Sequence, residues 1–253
     1  AAVGVSNRPR DIDGSYRPCF LVGIMTAECV AASHQAPIYL FSHQQGHVAA
    51  ALYSAGRLNL LQTRFLAFHV SGGTTECLLV EPDKERIFRC DKIADSLDLK
   101  AGQAVDRVGV MLGLPFPAGP ELEKLAQKSD KTYKIKPTMK DGNCCLSGIE
   151  NRCETMRAMG ESPEDIARFC LDSIAAAVSG MTDTALATYG KLPVLYAGGV
   201  MSNTILREHF EKDYGGIFAE PVFSSDNAAG IAVLASIADR RRKGDPEWPD
   251  SQS

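Results

Sequence analysis

The stretch that decides the fold is Arg64-Phe-Leu-Ala-Phe-His-Val-Ser-Gly-Gly-Thr-Thr-Glu-Cys-Leu-Leu-Val80, in which two apolar runs are joined through Ser71-Gly-Gly-Thr74. The runs from Arg64 to Val70 and from Thr75 to Val80 have the length and composition of buried strands. Glycines at the tip of such a turn let backbone amides approach an anion closely. The stretch therefore predicts a strand–turn–strand unit whose turn contacts a ligand.

Strands and helices alternate along the rest of the chain, and glycines follow several of the predicted strands. Further strands are predicted at 3–6, 37–41, 86–93 and 192–197, and helices at 20–33, 42–55, 100–112, 119–127, 162–189 and 202–210, with a last apolar helix beyond residue 228. The polar segment 129–148 is predicted to be a loop. This alternation favours an α/β fold with a ligand crevice at the strand ends.

Composition and charge exclude several classes of protein. The 253 residues carry a net charge of −4, which gives no overall attraction for nucleic acid, so an RNA partner requires a local basic patch. No apolar run reaches the ~18 residues of a membrane span. The eight cysteines form no C-x-x-C pair, which in so long a chain is typical of reduced thiols. A cytoplasmic protein with no membrane association is therefore predicted.

Two histidines form the candidate metal site. His43 and His47 are four residues apart in a predicted helix, and this spacing points both imidazoles the same way, as two ligands of one divalent metal require. The His-Glu-x-x-His box of zinc proteases has this spacing, but Gln44 replaces its catalytic Glu, and an amide cannot activate a zinc-bound water. A metallopeptidase is therefore disfavoured. Asp226 is the candidate third ligand, in a set that suits iron or zinc, and helix capping is the alternative role for its carboxylate.

A second glycine turn, Ala197-Gly-Gly-Val-Met-Ser-Asn203, follows a predicted strand and opens a predicted helix. A helix N-terminus offers N–H groups and a positive dipole to a phosphate or a ribose, although glycine is equally suited to any tight turn. Asp106 lies on a predicted helix one turn beyond Gly102. Its carboxylate either faces solvent or accepts hydrogen bonds from ligand hydroxyls.

Seven motifs occur in an order that resembles one known family. They are His43-x-x-x-His47, Val70-Ser-Gly-Gly73, Leu97-Asp-x-x-Ala-Gly102 with Asp106, Leu112-Gly-Leu-Pro-x-Pro-x-Gly-Pro120, Ser147-Gly148, Ala197-Gly-Gly-Val200 with Asn203, and Ser225-Asp-Asn-Ala228. Together they resemble the TsaD family, long labelled O-sialoglycoprotein endopeptidase. The resemblance implies the actin- and hexokinase-like pair of ribonuclease-H-like lobes. It also implies transfer of a threonylcarbamoyl group from threonylcarbamoyl-AMP to adenosine 37 of tRNA.

The resemblance also implies a set of site residues, cofactors and partners. The implied metal ligands are His43, His47 and Asp226, which would bind iron or zinc. The implied residues around an adenylate or ATP-type ligand are Val70, Ser71, Gly72, Gly73, Thr74, Asp106, Gly119, Gly198, Gly199 and Asn203. The implied partners are tRNA and a TsaB-like or other subunit of a tRNA-modifying complex.

The chain departs from the family pattern at several positions. The family's opening strand and phosphate-binding turn have no counterpart before Val3, so we expect an incomplete first lobe, in a fragment or in a natural short paralogue. Thr74 replaces a His, and Gln103 replaces a Glu. These departures predict a divergent paralogue, with a non-catalytic partner or scaffold as the alternative to the transferase. The expected division is 1–66 as the rest of the first lobe, 67–239 as the second lobe with a helical insertion and a return to the first lobe, and 240–253 as a flexible tail.

Overall fold

A computed structural model describes residues 1–12, 14–223 and 227–245 of the chain. The strands are β1 (Val3–Arg8), β2 (Ile38–Ser42), β3 (Phe65–Val70), β4 (Thr75–Asp83), β5 (Ile87–Asp95), β6 (Thr138–Lys140), β7 (Asn143–Cys145), β8 (Val194–Ala197) and β9 (Ile217–Phe218). The helices are α1 (Cys19–His34), α2 (His43–Ser54), α3 (Ala101–Met111), α4 (Gly119–Ala126), α5 (Gly148–Ala158), α6 (Pro163–Tyr189), α7 (Thr204–Tyr214) and α8 (Ala229–Arg242). The predicted α/β fold is confirmed.

The chain divides into two compact units. The first contains Ala1–Phe65, Leu79–Asp91 and Ala219–Ser253, and the second contains Leu66–Leu78 and Lys92–Phe218. The domain limits expected from the sequence stay a prediction. Among the described residues, no helix is long and apolar enough to cross a membrane.

Strand pairing determines which loops meet. The largest sheet has the order β5-β4-β3-β8-β9, and β3, β8 and β9 are parallel. In the register of this sheet, His69 of β3 pairs with Ala197 of β8. The carboxyl ends of these two strands therefore lie side by side, and both predicted glycine turns begin there. In the first unit, β1 and β2 form a separate parallel pair.

The second unit has an aromatic core around Tyr196 of β8. Its ring is fully buried and stacks on Phe68, Phe210 and Phe218, with ring centroids 4.6–5.4 Å apart. The Tyr196 hydroxyl forms a 3.1 Å hydrogen bond with Thr182 Oγ1. Burial raises the pKa of Tyr196 far above its usual value. These contacts hold the sheet against α6 and α7 and thereby fix the strand ends that carry the site.

The polar segment 129–148 is not the continuous loop that the sequence predicted. It contains the antiparallel hairpin β6–β7, whose two-residue turn has positive φ at both Asp141 (49°) and Gly142 (80°). An Asp-Gly pair is the preferred sequence for this turn. The prediction failed because each strand has only three residues, too few to display the alternation of a strand. Helix α5, which follows, was also not predicted.

Candidate active site

The histidine pair is positioned by the first turn of α2. Ser42 Oγ accepts a hydrogen bond from Gln45 N at 3.1 Å, and Gln45 Oε1 accepts one from Ser42 N at 2.9 Å. Gln45 Nε2 also donates to Phe88 O at 2.8 Å, which ties the helix start to β5. This reciprocal capping confirms the predicted N-cap and fixes the orientation of the turn that carries His43.

The two imidazoles are arranged as ligands of a single ion would be. His43 Nε2 and His47 Nε2 are 3.0 Å apart, and both rings are partly exposed. Two nitrogens about 2.1 Å from one ion have this separation when they occupy neighbouring coordination positions. The pair therefore fits a divalent metal. Within 1–12, 14–223 and 227–245, no group of three His, Cys, Asp or Glu residues could hold a metal ion, and Asp226 lies outside these ranges.

The Ser71–Thr74 turn is closed by its own hydrogen bonds. Ser71 N donates to Thr74 O at 2.7 Å, and Ser71 Oγ accepts from Gly73 N and Thr74 N at 3.3 and 3.2 Å. Gly72 and Gly73 are exposed, and a methyl group added to either would meet no atom within 4 Å. The backbone of the turn is therefore rigid and open to an incoming ligand.

Helix α3 begins directly against this turn. Gly102 N donates to Ser71 O at 3.1 Å, and Ala101 N donates to Thr75 Oγ1 at 2.9 Å. A Cβ at Gly102 would lie 2.5 Å from Gly72 N, closer than any side chain tolerates. Glycine is required here because two backbones touch. The first amides of α3 are used by the protein itself, so this helix start is a support for the turn.

The second glycine turn meets the first. Gly198 has φ = 100°, and a Cβ there would lie 2.3 Å from Val70 O. Gly199 is exposed and opens a short 3-10 turn, Gly199–Ser202, before α7 begins at Thr204. The sequence predicted that this turn opens the helix directly. In the structure, the short 3-10 turn separates it from α7. We call the surface formed by the Ser71–Thr74 turn, Gly102 and Gly198–Gly199 the glycine crevice.

Asp106 fixes the loop that follows α3. Its Oδ1 accepts a hydrogen bond from Ala118 N at 2.8 Å, immediately before Gly119 and α4. Gly109, one turn along the same face of α3, would place a Cβ 2.2 Å from Ala118 Cβ. The carboxylate is half-buried rather than a solvated charge. One oxygen of Asp106 thus has a structural role that the sequence did not reveal.

Asn203 and Glu123 cap the start of α7. Asn203 is 8% exposed, and its Oδ1 accepts from Leu206 N at 3.2 Å. Glu123 Oε1, on α4, accepts from Thr204 N at 2.7 Å and also from the Thr204 hydroxyl. Because Oδ1 of Asn203 caps α7, the NH₂ group of its side chain is the part that can make the predicted contact with a ligand. No local sequence pattern points to Glu123, because its partner Thr204 is 81 positions away in the chain.

Asp98 connects the motif at Leu97–Gly102, to which it belongs, with the motif Ser147-Gly148. Its Oδ1 accepts from Leu146 N at 2.7 Å, and its Oδ2 accepts from Ser147 Oγ at 2.6 Å. Burial alone would raise the pKa of the Asp98 carboxyl, but the hydrogen bonds from Ser147, Leu146 and Leu99 outweigh it and lower the pKa. The Ser147-Gly148 motif is therefore anchored to the segment that leads into α3.

The structure assigns the predicted site residues to the two units as follows. His43 and His47 belong to the first unit, and all ten predicted substrate residues belong to the second. Of these ten, Gly198 lies against Val70 O at the end of β3, whereas Asp106, Gly119 and Asn203 are linked through α3, α4 and α7. Their predicted ligand contacts stay predictions.

Comparison with solved structures shows which fold the chain has. HypF from T. kodakarensis matches with a TM-score of 0.62 and 13% identity, over 90% of this chain and 40% of that one. The activator of the 2-hydroxyisocaproyl-CoA dehydratase from Clostridium difficile, solved with bound ADPNP, matches with a TM-score of 0.51 and 13% identity, over 81% of this chain and 70% of that one. The chain has the α/β fold of the actin- and hexokinase-like superfamily.

Sequence comparison then identifies the family. Residues 5–233 match the model of TsaD, tRNA N6-adenosine threonylcarbamoyltransferase. The enzymes of that name from Kosmotoga olearia and Halalkalibacterium halodurans are 33% and 31% identical, over 85% and 94% of this chain. The chain belongs to the TsaD family and spans about two thirds of the length of these relatives, 66% and 69%.

Proposed function

We propose that the protein transfers a threonylcarbamoyl group from threonylcarbamoyl-AMP to N6 of adenosine 37 in tRNA, with the adenylate held at the glycine crevice. The observation that carries the proposal is the meeting of both glycine turns at the carboxyl ends of β3 and β8, in a chain of the TsaD family. In open α/β sheets, ligands bind at such strand ends.

The residues of the crevice would bind and orient the adenylate. The exposed backbone at Gly72, Gly73 and Gly199 allows close approach of the ligand. The Asn203 NH₂ group and the second oxygen of Asp106 would supply a donor and an acceptor for ribose or base. In the reaction, the adenine N6 forms a bond to the carbamoyl carbon and loses a proton, while the bond from that carbon to the phosphate oxygen breaks and AMP leaves.

The histidine pair would hold the metal. Asp226 would complete the set by resemblance to the family, and the donor set suits iron or zinc. A metal bound there would act as a Lewis acid towards the oxygens of the threonylcarbamoyl group. The role of His43 and His47 is to hold the ion through side chains already turned towards one point. The proposal includes a TsaB-like partner subunit and a cytoplasmic location.

Complementation tests the function directly. The complete gene product is expressed in a strain that lacks its own transferase, and N6-threonylcarbamoyladenosine in tRNA is measured by mass spectrometry. We expect the wild-type protein to restore the nucleoside and the Asn203→Asp variant to fail, because Asp keeps the capping oxygen of α7 but removes the NH₂ donor. The matched control is Asn151→Asp, at an exposed position of α5.

Absence of rescue by the wild-type gene product would contradict the transferase proposal and favour the partner or scaffold alternative. Gln103 does not by itself favour that alternative. Its Oε1 accepts a hydrogen bond from Lys100 N at 3.3 Å, so the amide caps the start of α3 as a carboxylate would.

A further inference from the structure

A basic segment runs along the surface of the second unit. Residues 131–140 read Lys-Thr-Tyr-Lys-Ile-Lys-Pro-Thr-Met-Lys, with four lysines and no acidic residue, in a chain of net charge −4. Lys131 is paired with Glu161 and Asp165. Lys134 and Lys136 are exposed, and neither forms an ion pair with any described residue. We call these two residues the lysine strip. The overall composition of the chain does not reveal this local concentration of positive charge.

The segment around the strip is extended and alternates in exposure. Tyr133, Ile135 and Pro137 are partly buried, whereas Lys134 and Lys136 are exposed. This alternation is that of a strand, although residues 131–137 pair with no neighbouring strand in the described chain. Two residues of extended chain span about 6.6 Å, a spacing on the scale of one nucleotide step. The two ammonium groups can therefore follow a phosphate backbone.

A groove of about 590 Å³ lies between this segment, α6 and α7. Small side chains of α6, among them Ala175 and Ala176, leave room for it. Its polar groups include Ser179 Oγ and His209 Nε2, which are 2.9 Å apart. The lining also contains three carboxylates, those of Asp172, Asp183 and Asp213, beside Arg168. Carboxylates accept hydrogen bonds from the N–H groups of a base, and the volume fits a small planar ligand such as a nucleobase.

The strip is connected to the glycine crevice through neighbouring strands. Ser96 N donates to Thr75 O at 2.8 Å, and Leu97 N donates to Cys144 O at 2.9 Å. Cys144 of β7 pairs with Met139 of β6, at the end of the lysine segment. Three such steps of about 4.8 Å place this end of the segment roughly 15 Å from the start of β4. That separation is a few nucleotides of a single strand.

We propose that the lysine strip and the adjoining groove form a binding surface for single-stranded RNA, in which the strip contacts phosphates and the groove accepts one unstacked base. Surfaces of this kind combine cations along the backbone with a pocket for a splayed-out base. The choice of a tRNA loop as the natural RNA rests on the proposed function, whereas the binding of RNA can be measured independently of any transfer.

The test is fluorescence anisotropy of the full chain with a synthetic RNA stem-loop of anticodon-loop sequence, over a series of salt concentrations. We expect Lys134→Ala/Lys136→Ala to weaken binding about tenfold and to reduce the slope of log K against log salt by about 1.4, since each phosphate contact contributes about 0.7. The matched control, Lys84→Ala/Lys191→Ala, removes the same charge at exposed positions elsewhere and is expected to keep the wild-type slope.

The groove is tested by a substitution without charge. Ala176→Leu fills the groove and is expected to weaken binding severalfold at an unchanged salt slope. Ala187→Leu is its control, at an exposed position of the same helix, and is expected to bind as the wild type does. Circular dichroism melting of both variants identifies any loss from unfolding, and in that case Ala176→Val is measured instead.

The outcomes separate this proposal from the proposed function. The RNA surface is overturned if the lysine variant keeps the affinity and the salt slope of the wild type. It is also overturned if the wild-type chain binds no RNA, or if the lysine strip binds an acidic protein instead. If the variants lose RNA binding while the complete gene product fails to restore the modified nucleoside, the RNA surface stands and the transferase proposal falls.

Discussion

The histidine pair and the glycine crevice are built in opposite ways. The histidine pair lies within one turn of α2, and its geometry follows from helical spacing and one capping box. The glycine crevice is made of backbone from β3, β8 and α3, which come together only after the sheet has formed. Side-chain sites on one helix are therefore visible as local spacing, whereas a backbone site depends on contacts between distant segments.

The two regions also differ in what a substitution removes. At the histidine pair, loss of one side chain would remove a proposed metal ligand and leave the helix intact. At the glycine crevice, an added methyl group displaces backbone, because the distances at Gly102 and Gly198 leave no room for a Cβ. A substitution in the glycine crevice is therefore expected to lower the stability of the fold, whereas a substitution in the histidine pair is expected to weaken metal binding.

The largest effect is expected for Gly102→Ala. Its Cβ would lie 2.5 Å from Gly72 N, so α3 must move away from the Ser71–Thr74 turn, at a cost of about 3 kcal/mol in the free energy of unfolding. Urea denaturation measures the loss. Gly148→Ala, where a Cβ meets nothing within 4 Å, is the control. Equal stability of the two variants would show that the close contact does not hold the crevice.

The next effect is expected for His43→Ala, which removes one of the two adjacent nitrogens. We expect metal affinity to fall by more than about 100-fold, while the midpoint of urea denaturation of the metal-free protein stays near that of the wild type. Metal content after dialysis against zinc or iron measures the loss. His34→Ala, at the exposed end of α1, is the control. Unchanged metal content in His43→Ala would refute the site.

Variants of Asp106 distinguish a structural role of its carboxylate from a ligand-binding role. Asp106→Ala removes the acceptor of the Ala118 N–H and is expected to cost about 2 kcal/mol of stability. Asp106→Asn keeps an acceptor oxygen and is expected to cost less, while weakening adenylate binding if the second carboxylate oxygen contacts the ligand. Urea denaturation and calorimetric titration with AMP measure the two quantities. Equal AMP affinity of Asp106→Asn and wild type would assign Asp106 to structure alone.

The smallest effect concerns pH and Asp98. The pKa of this carboxyl is lowered in the folded protein, so its contribution to stability is complete above the unfolded value of about 3.9 and is lost as pH falls through the folded pKa. The Asp98→Asn variant should therefore lose less stability than the wild type on acidification below about pH 4. Urea midpoints at neutral and acidic pH measure this, and an identical loss in both proteins would contradict the assignment.

Local signals predicted much of the fold. Ser42 and Ser162 were recognisable as N-caps, and both accept the expected hydrogen bond from the third residue of their helices. The hairpin at Asp141-Gly142 and helix α5 were not recognised, because strands of three residues show no alternation and α5 has a largely polar surface. The capping of α7 by Glu123 could not be predicted, since it joins two helices far apart in the chain.

The sequence by itself determined the α/β class, the spacing of His43 and His47, and the ordered motifs of the family. Each of these features is a pattern of residue types along the chain, such as the 3.6-residue repeat of a helix, so it can be recognised without knowing which segments meet. Only the tertiary structure decided that Gly72, Gly102 and Gly198 surround one crevice and that a lysine strip borders a groove. These arrangements depend on strand pairing and on contact distances between remote segments, which no local pattern records.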